Sequence, residues 1–143
     1  MPRTAESHRR PNLILAVVAA VGLEVLLIAL AIAWVAVYSL LISPGKTIED
    51  YEAHAEVSSP VVSVAAGVVC FFFAGRLLRR MGQPRGFHTA IATGAVYVVM
   101  DAAIIAAAVQ DHELHYWLIA ASGYAIKLAA LLFAARSVAR DAA

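Results

Sequence analysis

Charge is scarce in this chain of 143 residues. Asp, Glu, Lys and Arg make up 15% of it, against about a quarter in a soluble domain, while apolar residues reach 62%. Mean hydropathy is +0.79. So little polar surface excludes a disordered tail and sets most residues against lipid or other apolar helices. Cysteine is almost missing: Cys70 stands alone in an apolar run, which excludes an internal disulfide and the paired-thiol chemistry of dithiol redox enzymes. Aromatics are few, at 8%, and do not interleave with the arginines, so the chain lacks a nucleic-acid-binding footprint. Long polar segments are also missing. One compact membrane domain over residues 1–143 is expected, with no room for an appended soluble catalytic domain.

What the chain does have is four apolar stretches, each near the ~20 residues a helix needs to cross hydrocarbon. They run from Leu13 to Ile42, Val57 to Leu78, Phe87 to Val109 and Leu114 to Ala135. The first, as a helix of about 45 Å, is too long to span without tilt or protrusion. Trp34 and Tyr38 suit the headgroup level, so Leu13 to Trp34 is expected in lipid and the last two turns outside. Arg9 and Arg10 before it imitate an export signal, but the run is too long and no small-x-small cleavage site follows, which reads as a retained helix. Ser58, Ser59 and Pro60 predict the start of the second helix, with a serine cap and proline in the first turn. Met81 to Gly86 contains two glycines and a proline and predicts a tight turn. Short links make neighbours antiparallel, predicting an all-α, up-down-up-down four-helix bundle in which helix four touches helices one and three. Small residues four apart, Ala121, Ala125 and Ala129 on helix four and Ala90 with Gly94 and Ala103 with Ala107 on helix three, predict tight packing of that pair.

Orientation follows from the cations. Arg3, Arg9, Arg10, Arg76, Arg79, Arg80, Arg85, Arg136 and Arg140 fall on one side, Lys46 on the other, and Lys127 inside a helix. Both termini are therefore expected on the cytoplasmic side of a cytoplasmic (inner) membrane. The outer side carries Glu49, Asp50, Glu52, Glu56, Asp111 and Glu113, with His54, His112 and His115 among them. The three histidines are weak candidates for metal ligands, since imidazoles three apart share a helix face, although the zinc-protease spacing is missing. His88 and His115 belong to opposite interfaces, which does not suit bis-imidazole haem ligation, and no cofactor is expected. Gly45-Lys46-Thr47 lacks the upstream glycine of a phosphate loop and reads as a turn.

Three ionisable residues interrupt the spans: Glu24, Asp101 and Lys127. A charge at the bilayer centre costs about 3 kcal/mol even on lenient scales, so such residues are kept for a reason. Glu24 lies about 16 Å beyond Leu13 and Lys127 about 14 Å before Arg136, one shared depth, with Asp101 about 21 Å past Phe87. Lys127 is expected between the two acids, its stem long enough to reach either. Two acids against one base also imply that one carboxyl holds a proton or is held by hydrogen bonds. Tyr97 and Tyr124, about one turn before Asp101 and Lys127, supply hydroxyls on the same faces. The cluster suits either a clamp fixing helix register or a relay for protons or cations. Gly22-Leu23-Glu24-Val25 is similar over a few residues to the first-helix glutamate of small multidrug transporters, which also have four spans. The later helices lack that family's patterns and Lys127 has no counterpart there, so no function carries across. The expectation is a small non-enzymatic subunit, assembly factor or sensor, or alternatively a small transporter or proton- or cation-conducting protein. Its partners are the lipid bilayer and either further copies of itself, as a homo-oligomer, or another membrane protein.

Overall fold

The computed structural model describes residues 10–81, 85–108 and 114–137, with side chains for all of these except 108 and 114–116. The described residues form four helices and no strand: α1 (Leu13–Val37), α2 (Ile48–Met81), α3 (Gly86–Ala108) and α4 (Leu114–Ser137). All four are long and apolar enough to cross a membrane. Large apolar side chains such as Ile14, Phe73 and Val99 point outward, as they must where the surrounding solvent is hydrocarbon.

α1 begins where Asn12 supplies a cap, its Oδ1 accepting from the Leu15 amide at 3.1 Å. The Asn12 amide donates to Thr89 Oγ1 at 3.1 Å, tying the start of α1 to that of α3. At its far end α1 passes into a π-helical turn, Tyr38–Ile42, closed by the Ser43 amide donating to the Tyr38 carbonyl at 2.9 Å. Gly45, at φ +82°, then reverses the chain in a conformation that a side chain would strain.

α2 departs from expectation. It starts not at Ser58 but at Ile48, and Pro60 lies inside it. The reason is a stronger cap upstream: the Thr47 amide donates to Asp50 Oδ2 at 3.3 Å, while the Asp50 amide donates back to Thr47 Oγ1 at 3.3 Å. Two orphan donors are satisfied reciprocally, as in a capping box, and the helix continues through a proline that removes one bond. The added turns of α2 lie against the end of α1. His54 stacks on Tyr38, with centroids 3.5 Å apart, and Tyr51 meets Tyr38 edge-on.

The most extensive contacts join α2 with α4 and α1 with α3, and lesser ones join α1 with α2, α2 with α3 and α3 with α4. α1 and α4 thus lie across from one another, with α2 and α3 between them. Helix four flanks helices two and three rather than one and three. The small-residue expectation also needs correction: Ala90 and Gly94 are buried, but Ala103, Ala107, Ala121, Ala125 and Ala129 face outward. The closest backbone approach is instead at Gly75 of α2, where a Cβ would collide with the Leu131 carbonyl of α4. On α1 the inward stripe is Ala16, Ala20, Leu23 and Leu27, the last three sharing one core with Phe71, Ala90, Tyr97 and Leu131.

Candidate functional site

Lys127 points into the bundle from α4 and is only 4% exposed. Its stem crosses Gly67 of α2 so closely that a Cβ there would stand 2.6 Å from Lys127 Cε. One turn earlier on α2, Ser63 Oγ accepts a hydrogen bond from Lys127 Nζ at 2.9 Å. A second bond runs from Nζ to Tyr97 OH on α3 at 3.2 Å. α2 thus contributes both the space for the stem and an acceptor for the ammonium.

Tyr97 is the hub. At 2% exposure it is wedged edge-on between Phe71 (centroids 4.7 Å) and Tyr124 (6.4 Å), which fixes its ring. Its hydroxyl accepts from Lys127 and also interacts with the carboxyl of Glu24. Glu24, 7% exposed on α1, interacts in turn with Asp101 on α3, and its Oε2 is buried without a hydrogen-bond partner.

The fold therefore gathers Glu24, Asp101, Lys127, Tyr97 and Tyr124, by a route other than the one expected. Lys127 gives its hydrogen bonds to two hydroxyls, those of Ser63 and Tyr97, and to neither acid. Ser63 and Gly67 escaped the sequence reading. Ser63 and Gly75, four before and eight after Gly67, share one face of α2 with it, but spacing alone does not say which neighbour that face meets.

The outer histidines divide. His54 lies flat on Tyr38 with Trp34 at 6.4 Å, while His112 and the side chain of His115 fall outside the described residues. Among the described residues no group of His, Cys, Asp and Glu is arranged to hold a metal. A shallow groove of about 430 Å³ lies apart from the Lys127 cluster, lined by Ala31, Ile32, Val35, Ala36, Ser39 and Ser59. Comparison with protein-family models, with curated proteins and with solved structures finds no match to this chain.

Proposed function

We propose that this chain is a small, non-enzymatic multi-pass membrane protein, a subunit, assembly factor or sensor, whose buried polar cluster locks the register of its helices. The observation that carries the reading is that the buried Lys127 of α4 is hydrogen-bonded at once to Ser63 of α2 and Tyr97 of α3, with the buried Glu24 of α1 and Asp101 of α3 beside them. In lipid, where apolar contacts alone discriminate weakly between registers, a slip of one residue would strand a charge in hydrocarbon at about 3 kcal/mol. An up-down-up-down course is supported by the order of contacts. Along α2 and α4, Gly67 meets Lys127 and Gly75 meets Leu131, whereas along α3 and α4, Phe87 meets Arg136 and Tyr97 meets Lys127. The arginine side is assigned to the cytoplasm of a cytoplasmic membrane on the bias of its cations.

One observation favours a second reading, proton or cation exchange. Glu24 Oε2 has no partner while its carboxyl faces that of Asp101, an arrangement that would accept an exchangeable proton or a cation. Purified protein in liposomes carrying a pH-sensitive dye separates the two. The register reading expects no proton or cation flux above that of empty liposomes between pH ~5 and ~8, the range in which histidines and carboxyls shifted by their surroundings titrate. A flux abolished by Asp101→Asn or Glu24→Gln would replace it with the exchange reading.

A further inference from the structure

The end of the bundle at which α1 and α3 begin is built from arginine. Asn12 holds Thr89, a Cβ at Gly86 would stand 2.7 Å from Arg79 Cα, and the Arg136 guanidinium lies 5.3 Å from the Phe87 ring centroid. These contacts bring Arg79 of α2 and Arg136 of α4 to the first turn of α3. Arg10, Arg76, Arg80 and Arg85 belong to the same end, and no acidic residue does among the described residues. Within this patch Arg79 Nε is buried without an acceptor, a donor that ordinarily finds one.

We infer that Arg79 and Arg136, beside Phe87, form a binding site for the phosphodiester of an anionic phospholipid headgroup. The site rests on the membrane placement of the helices and is independent of what the Lys127 cluster does.

Three features select this ligand. The cations are all arginine, whose planar fork matches phosphate oxygens in a way an ammonium does not. The patch sits where apolar helix surface gives way to charge, at the depth of headgroups, with Phe87 and the outward-facing Leu77 against acyl chain. The starts of α1 and α3 add the positive ends of two helix dipoles to the same field.

The test uses full-length protein in nanodiscs of phosphatidylcholine containing a minority of phosphatidylglycerol, with the retained lipid read by native mass spectrometry. Wild type is expected to retain phosphatidylglycerol preferentially. Arg136→Gln should lower that preference about tenfold, the worth of one hydrogen bond between charged groups, and Arg79→Gln by at least as much. Arg80→Gln, one residue along on the exposed side, should leave it within about twofold, because an arginine outside the site meets only screened bulk charge. Arg136 is exposed, so its substitution keeps the test valid should Arg79→Gln fail to fold. No preference in wild type, or equal losses from Arg80→Gln and Arg136→Gln, overturns the site. Displacement of the lipid by equimolar inorganic phosphate would assign the pocket to a free anion and overturn the headgroup assignment.

Discussion

Lys127 depends on a residue with no side chain. Because its stem fills the space over Gly67, a larger residue there must expel the stem or push α2 from α4. Gly22 on α1, with nothing within 4 Å of its added Cβ, is the control. Gly67→Leu is expected to destabilise the protein by about 1–3 kcal/mol through overpacking and Gly22→Leu to be neutral or mildly stabilising, as thermal unfolding in detergent would report. Equal effects would mean that Lys127 does not lie over Gly67. The three charges were legible in the sequence because an ionisable residue in an apolar run stands out on cost alone. Ser63 and Gly67 were not, since serine and glycine are ordinary in membrane helices. Their role depends on the rotation of α2 about its axis, which spacing within one helix leaves open.

At the scale of the element, α2 is the informative departure. Ser58-Ser59-Pro60 has the composition of a helix start, yet the reciprocal Thr47 and Asp50 cap starts the helix ten residues earlier, at Ile48, and the helix runs through. A proline inside a helix costs up to about 3 kcal/mol, so Pro60→Ala should raise the unfolding temperature, and Thr47→Ala should lower stability by about 1 kcal/mol. Hydrogen exchange checks the same point. Amides of residues 52–56 should be protected in the wild type and lose protection in Thr47→Ala, whereas a helix beginning at Ser58 would leave them fast in both. At the opposing end of α1, Trp34 and Tyr38 meet His54 and Tyr51 of the added turns, a contact that reading them as headgroup-level aromatics did not include.

For the whole molecule, four spans were readable from hydropathy, but the choice of neighbours was not. Short connections say which helix follows which; they do not say which pair lies on the diagonal. Here α2 and α3 stand between α1 and α4, a choice made where Gly75 admits the α4 backbone and Tyr97 fills the interior. Opposed charge at the two ends follows from that course. Glu49, Asp50, Glu52 and Glu56 belong to the end opposite the arginines, with Lys46 beside them. Reporter fusions at both termini are expected to give cytoplasmic signals, and a signal from the other side at either terminus would overturn the proposed course of four spans.

The central claim, that the Lys127 network fixes the register of the bundle, is tested most directly by a double-mutant cycle read as thermal unfolding in detergent. Lys127→Met alone leaves the buried Glu24 and the half-buried Asp101 without their cation and should be strongly destabilising, by about 3–5 kcal/mol. In a Glu24→Gln or Asp101→Asn background the same substitution should cost less, with a coupling of about 0.5–3 kcal/mol. Strict additivity with both acids would contradict the account, for it would mean that Lys127 is held by Ser63 and Tyr97 alone and that no network spans the four helices.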